Sequence, residues 1–531
     1  MSPISFDALP DDILLSIFAH ATPLSIRRCS QVCRALQKTI ATSDHLQYLL
    51  ELDVCGYIEP LRPRTDLSYA RKTEMLCEHN SRWNNLGAIT PEYHELPDGL
   101  MAPGLTKLVA GTFVWTETVS RDLTRFSIYQ LPSNNTGAPF RMRRFEVPFA
   151  VQYLTIDPEQ DVIALLEEHT FQSHSPYRII HLRAASTNGP HPRAARDQLV
   201  VQKAYDWNWH SRVTLSGSSL AGAFGHEGLT YNYIVIWNWT TGQEISHFDL
   251  HHSSNQYGFD LLSQSSFVSS RVFGTKSSNR SSPKVIHRCL KVFEFDPNGN
   301  VSTPPIHRAS FELPGQAGDA IRLPSMYVRA EASTYSQPNS QRPARIYDTD
   351  PNDRLLWIAS HGHPSLKVCI PVSKLLELSQ TNTSPIVNRS VLKFSWDDWA
   401  PFALCGDALN DKWSDRHNDM ISGQRFVSGC HPGLPLATIT VTDLNQRRLR
   451  MCRDGARANA HPGACPKPNF DVLGNMSREK RIELWGKRGQ PDPERSIFWQ
   501  KMDDEHLVAI IAEVIDEYND DYKCHLLLHC I

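Results

Sequence analysis

Over residues 5 to 50 the apolar positions recur at helical spacing. Ile13, Leu14, Ile17 and Phe18 make one stripe, and Ile26 and Cys29 share a second face. Val32, Cys33, Leu36 and Ile40 define a third stripe, and Leu46, Leu49 and Leu50 follow. Start signals cut this stretch into short helices. In Leu9-Pro10-Asp11-Asp12 the proline suits a first helical turn, where its missing N–H costs nothing. The two carboxylates sit on the positive end of the helix dipole. Thr22-Pro23 opens the next helix, with Thr22 as N-cap. Arg27, Arg28, Arg34 and Lys38 keep the opposite faces wet. A helical unit of roughly 40 residues cannot hide all its apolar surface by itself. The leftover stripe needs either another chain or the protein's own body.

The pattern breaks at Pro60 and Pro63, among Arg62, Arg64 and Asp66. Residues 68 to 86 turn helical again. Ser68 is the candidate cap, and Leu76 and Trp83 fall at helical intervals among Arg71, Lys72, Glu74, Glu78 and Arg82. This segment reads as an amphipathic linker helix packed on the body.

From about residue 90 short apolar or alternating runs are punctuated by Gly, Pro, Ser and Asn. Lys107 to Trp115, Phe126 to Leu131, Val151 to Ile156, Val162 to Leu166, Tyr233 to Trp239, Leu290 to Phe295, Leu355 to Ser360, Leu366 to Ile370 and Leu507 to Ile511 are strand signals. Residues 183 to 198, 274 to 285 and 331 to 353 are polar and proline-bearing and read as mobile loops.

Composition narrows the class. A chain of 531 residues exceeds one ordinary core unless a large closed β architecture is present. The formal charge of −3 gives no reason to expect nucleic acid or an anionic membrane as partner. Twelve cysteines in such a length do not suggest a disulfide scaffold, and Cys29, Cys33 and Cys77 read as small buried hydrophobes. Asp7, Asp11 and Asp12, with no basic leader, argue against a signal peptide, and Leu507 to Ile515 is too short to span a bilayer. The expected location is cytoplasmic, nuclear or both.

Candidate chemistry adds little. Cys430-His431, with Cys452, His461 and Cys465, lacks a Cys-x-x-Cys pair or a closely spaced His pair to complete a zinc tetrad. His247, His251 and His252 follow a Thr-Gly-Gln turn and read as surface or loop residues. Phosphate-cradling loops and nucleophile elbows are absent from the sequence. No metal, cofactor or catalytic residue is therefore expected. The basic stretch 446 to 495 reads as a solvated face, with a docking patch for an acidic or phosphorylated target as the alternative.

The run Leu9-Pro10-Asp11-Asp12-Ile13-Leu14, then Ile17-Phe18, Pro23, Ile26, Val32-Cys33-Arg34 and Leu36, resembles the F-box in order, type and spacing. It departs at Leu36, where the family often has tryptophan, and at Leu46-Gln47-Tyr48, where it often has Leu-Trp. The resemblance implies docking on the adaptor subunit of an SCF-type cullin–RING ubiquitin ligase, and through it on cullin. Leu9, Pro10, Ile13, Leu14, Ile17, Phe18, Val32, Cys33 and Leu36 are the implied contacts or their direct support. A linker helix with a late tryptophan also resembles many fungal F-box proteins. Ile234 to Glu244 resembles the outer half of a WD-repeat blade, a strand, a Thr-Gly-Gln turn and the next strand, and Leu290 to Gly299 and Thr438 to Asn445 repeat the theme.

The expected chain is thus mixed: an all-α F-box module at 1–55, a linker at 56–89 and a large all-β domain at 90–531. A WD-like β-propeller of about six to eight blades leads, with a β-sandwich array or an α+β body as alternatives. The implied role is a non-enzymatic substrate-recognition subunit that holds an unidentified protein target. A non-catalytic F-box scaffold outside ubiquitination, or an enzyme built on the propeller channel, are the other readings.

Overall fold

A computed structural model describes residues 9–84, 92–95, 105–120, 122–168, 177–201, 211–225, 233–249, 258–274, 285–301, 303–317, 326–330, 343–351, 354–360, 366–380, 391–405, 421–422, 425–428, 438–443, 445, 469–470, 476–483, 495–516 and 521–530. Four short helices come first: α1 (Asp11–Ala19), α2 (Pro23–Ser30), α3 (Arg34–Ala41) and α4 (Asp44–Cys55). Thr22 caps α2 as expected, its Oγ1 accepting from Ser25 N at 3.2 Å with Pro23 just inside the helix. Gly56 ends α4 at φ 78°, a left-handed C-cap that glycine adopts without steric cost. Leu14, Phe18, Ile26, Leu36, Ile40 and Leu46 form one closed hydrophobic core among these helices.

The third stripe needs correction. α3 starts only at Arg34, so Val32 and Cys33 lie in the turn before it, both exposed. Cys33 and Cys77 are exposed and Cys29 is half-buried, where buried positions were expected.

Helix α5 (Tyr69–Asn84) opens on Ser68, whose Oγ accepts from Arg71 N at 3.3 Å. Leu76 and Trp83 are buried, as their spacing predicts. Lys72 is also buried, its ammonium 4.7 Å from the centre of the Tyr69 ring, a cation–π contact the helical pattern does not reveal.

Among the described residues the body is seven sheets, antiparallel but for one added edge strand, taken almost wholly in chain order. Blade 1 is Thr106–Val109, Thr112–Ser120, Leu123–Gln130 and Arg141–Val147; blade 2 is Val151–Asp157, Val162–Glu167, Arg178–Ala184 and Gln198–Val201. Blade 3 is Ser211–Ser216, Ser219–Phe224, Tyr233–Asn238 and Gln243–Asp249; blade 4 is Phe259–Ser263, Ser266–Gly274, Val285–Glu294 and Ile306–Ala317, with Leu392–Phe394 added in parallel outside. Blade 5 is Met326–Ala330, Leu355–Ser360, Leu366–Pro371 and Leu404–Cys405; blade 6 is Ile421–Ser422, Arg425–Ser428, Thr438–Asp443 and Met476–Glu483, with Asn469–Phe470 added outside. Blade 7 takes Arg495–Met502, His506–Asp516 and Asp521–Cys530, and its fourth strand comes from the other end of the body: Glu92–Glu95 pairs antiparallel with the last strand, Glu92 opposite Leu528 and Glu95 opposite His525.

The first strands of blades 1 to 5 lie side by side in sequence, and the first strand of blade 7 meets that of blade 1. The sheets therefore close into a seven-bladed β-propeller. Radial closure leaves only short sheet edges, and the borrowed strand locks the ring. Apolar side chains fill the spaces between blades. Val162, Leu182 and Leu199 of blade 2 pack with Leu220, Val235 and Trp237 of blade 3.

The Thr-Gly-Gln turn is where the sequence places it. Asn238 Oδ1 accepts from Thr240 N at 3.1 Å and Gly242 sits at φ 68°. The run Lys107 to Trp115 is not one strand. Ala110 and Gly111, at φ 46° and 72°, turn it into a hairpin, both central residues being left-handed as such tight turns require. Residues 183 to 198, expected as a mobile loop, are tied down: Ala184 N donates to Gly189 O at 2.9 Å, and His191 packs edge-on to Trp239. Of the other two expected loops, 275–284 and 331–342 lie outside the described residues, whereas 343–349 forms a strap.

Candidate functional site

The hook's core is complete, yet large apolar side chains remain outside it. Ile13 is 44% exposed, Ile17 42%, Leu24 55% and Val32 73%. Ile13 and Ile17 are four apart and share a face of α1. Pro10 is exposed and Leu9 half-buried at the helix entry. Of the residues the sequence singles out, Pro10, Ile13, Ile17, Val32 and Cys33 thus face solvent. Leu14, Phe18 and Leu36 are internal, so they support this surface rather than form it. Leu24 is the one the sequence reading missed. It follows Pro23, and its exposure could have been inferred from its position off the Ile26 face.

Polar contacts hold the hook rigid. Thr39 Oγ1 donates to Asp11 Oδ1 at 3.1 Å, joining α3 to α1. Arg27 lies 3.2 Å from the Asp53 carboxylate and donates to Leu50 O at 3.2 Å, joining α2 to α4.

Helix α4 has two faces. Leu46 belongs to the hook, whereas Tyr48, Leu52 and Cys55 pack against Leu76 of α5 and Ile346 and Tyr347 of the strap. The strap leaves blade 5 between its first and second strands and pairs with the linker: Tyr57 lies opposite Thr349 and Ile58 opposite Asp348. Tyr57 stacks on Tyr347 with ring centres 4.1 Å apart, and its hydroxyl is 3.0 Å from His79 Nε2. The Tyr48 hydroxyl donates to Ile346 O, and burial pushes the Tyr48 phenol pKa up. Asn135 of blade 1 grips the strap from below, accepting from Ile346 N at 2.7 Å and donating to Tyr347 O at 3.0 Å.

The linker helix is fixed to the body at further points. Trp83 Nε1 donates to Asp504 O at 2.9 Å, and the Arg425 guanidinium lies 4.4 Å over the Trp83 ring. Asn445 donates to Val54 O at 3.1 Å. Hook, linker and propeller therefore form one mounted unit.

Beneath the mount sits the node that joins blades 7 and 1. His506 Nδ1 lies 2.8 Å from Asp503 Oδ1, and His506 Nε2 lies 2.7 Å from Pro132 O. Gly111 N donates to Asp503 Oδ2 at 2.6 Å. Burial opposes charge on the imidazole, but the Asp503 and Glu505 carboxylates outweigh it, and the His506 pKa is pushed up to about 9. Burial likewise opposes charge on Asp503, and His506 outweighs it, so that carboxyl titrates below its usual range.

A cavity of about 960 Å³ enters the propeller channel at this face. Ile58, Glu59 and Leu61 of the linker line its mouth, with Arg345 and Asp348 of the strap.

Of the histidines considered for metal binding, His247 lies on the outermost strand of blade 3, half-buried and stacked on Tyr233, rather than on the surface. His251, His252, Cys430, His431, Cys452, His461 and Cys465 lie outside the described residues. Among the described residues no cluster of three or more His, Cys, Asp or Glu is placed to hold a metal.

The F-box-like family model matches residues 6–46. No curated protein matches the chain. Among solved structures, the C-terminal WD40 domain of Sif2 is 10% identical with a TM-score of 0.34, covering 83% of this chain and 98% of that one. The uncharacterized protein lmo1340 from Listeria monocytogenes EGD-e is 10% identical with a TM-score of 0.24, covering 54% and 82%. At these scores the propeller rests on its own strand order, which stands without them.

Proposed function

We propose, from an F-box-like domain at residues 6–46 mounted on a seven-bladed propeller, that this chain is a substrate-recognition subunit of an SCF-type cullin–RING ubiquitin ligase. The hook docks on the adaptor subunit, and the propeller holds a protein target. One observation carries the reading: Ile13, Ile17, Leu24 and Val32 stand in solvent on a hook whose own core is already closed. Exposed apolar groups gathered on so small a unit are typical of a partner surface. The mount supports it as well, because a tether raises the effective concentration of the target near the ubiquitin donor only if its geometry lets both engage. F-box and propeller architectures typically serve non-catalytic adaptors, so the chain itself performs no chemistry in this reading. It works in the cytoplasm or nucleus, where the ligase would reach its targets.

The test is co-purification of the full chain with the adaptor subunit and cullin. Wild type should retain both, and Ile13→Asp with Ile17→Asp should lose both while the propeller stays folded. Adaptor binding that survives the double substitution would refute the assignment of this face. Adaptor retained without cullin would favour the second reading, an F-box scaffold outside ubiquitination.

A further inference from the structure

The propeller channel contains a cation with unused hydrogen-bonding capacity. Asp260, on the first strand of blade 4, defines one tier of the wall. Its Oδ2 accepts from Arg212 Nη2 at 2.5 Å and from Ala330 N at 2.7 Å. Its Oδ1 accepts from Thr214 Oγ1 and from Leu261 N, each at 2.9 Å. The carboxylate is saturated, and its charge is matched by Arg212.

Arg329 is the neighbour of Ala330 on the first strand of blade 5 and also lines the cavity, directly across the strand pair from the buried Trp357. Among the described residues its single hydrogen bond is a long one, Nη1 to Val328 O at 3.4 Å, and its buried Nε has no partner there. A guanidinium offers five donors. Apart from Glu59 of the linker, the carboxylates nearer the mouth are committed elsewhere. Glu159 and Asp348 lie 3.0 Å from Arg345, Asp161 accepts from Ser186, and Asp503 pairs with His506. Glu505 accepts from Ser133 and Asn135, and Asp504 from Thr349. Lys107 and Arg141 of blade 1 and Arg354 of blade 5 also line the wall, with the carboxylate-paired Arg212 and Arg345.

A half-buried cation in a low-dielectric channel is costly unless something answers it. The fork of an arginine matches the oxygens of a phosphate or carboxylate. A space of about 960 Å³ admits a small molecule with its water. We propose that the channel binds a small oxyanion of the phosphate class carrying two or more charges, with Arg329 as its principal donor. This site is separate from the hook and does not depend on ligase assembly.

Inorganic pyrophosphate is the probe, titrated calorimetrically into the full-length chain at fixed ionic strength. Wild type should bind at one site. Arg329→Gln should weaken binding at least tenfold, whereas Arg329→Lys should lose less. Arg143→Gln, which removes an exposed arginine on the outer strand of blade 1 away from the cavity, should change nothing, and nor should Ile13→Asp with Ile17→Asp. Arg329 makes only one weak contact, so its substitution should leave the thermal midpoint of the unliganded protein in place. Absence of binding to wild type overturns the proposal. So does binding retained by Arg329→Gln, or binding lost equally in Arg143→Gln, which marks a diffuse surface effect.

Discussion

On the outer side of the hook Ile13, Ile17, Leu24 and Val32 meet solvent. On the inner side of the same small unit Tyr48, Leu52 and Cys55 are sealed against α5 and the strap. Both surfaces are built from short helices. They differ in what has been provided to cover them. The inner face has a dedicated partner from elsewhere in the chain, with the Tyr48 hydroxyl matched to Ile346 O. Nothing in the described residues covers the outer face. A unit fused on one side and bare on the other is a rigid projection, suited to presenting a surface to another chain.

The contrast can be broken from the inner side with the largest effect. Trp83→Ala empties a buried site and removes the bond to Asp504 O. It should cost about 3–5 kcal/mol in chemical denaturation, and an unchanged midpoint would show that the linker helix is not part of the folded unit.

The node below the mount should show a comparable effect through pH. His506 is held charged, with a folded pKa of about 9 against an unfolded value of about 6.5. Its contribution is therefore fully present below about pH 6.5 and lost as pH rises through about 9. The depressed carboxyl of Asp503 acts in the opposite direction, its contribution being lost as pH falls below the usual carboxylate range. His506→Asn should abolish the alkaline fall in stability, measured as denaturation midpoints from pH 6 to 10. A wild-type profile flat across that range would disprove the charged pair.

A smaller effect is expected at the strap. Tyr48→Phe removes the hydroxyl bond to Ile346 O and should cost about 1 kcal/mol. Ile13→Asp with Ile17→Asp lies at the other extreme for folding. Its midpoint should move by less than about 0.5 kcal/mol, as for surface substitutions generally. A large loss of stability there would mean that the outer face is covered after all, and the comparison would fail.

How much could be read from the chain follows the same division. Thr22-Pro23, Ser68 and the spacing of Leu76 and Trp83 announced their helices, because caps and periodicity act over one or two turns. The Asn238 to Gln243 turn was equally plain. Arg141–Val147 went unread as a strand because the outermost strand of a blade is mostly wet, so it carries no alternating apolar signal. Val32 and Cys33 were assigned to a helix because a 3.6-residue spacing continues past a helix end without marking it.

The amino-acid order alone determined that helices precede strands, where several turns fall, and that the first forty-odd residues carry apolar groups beyond what they can bury. Folding decided which of those groups stay outside, since Leu14 and Ile13 are adjacent in sequence yet opposite in fate. Folding also decided the ring closure, in which Glu92–Glu95 joins a strand more than four hundred residues away, and the strap that mounts the hook. Pairings of that separation depend on backbone hydrogen bonds open to almost any side chain, so no local pattern encodes them.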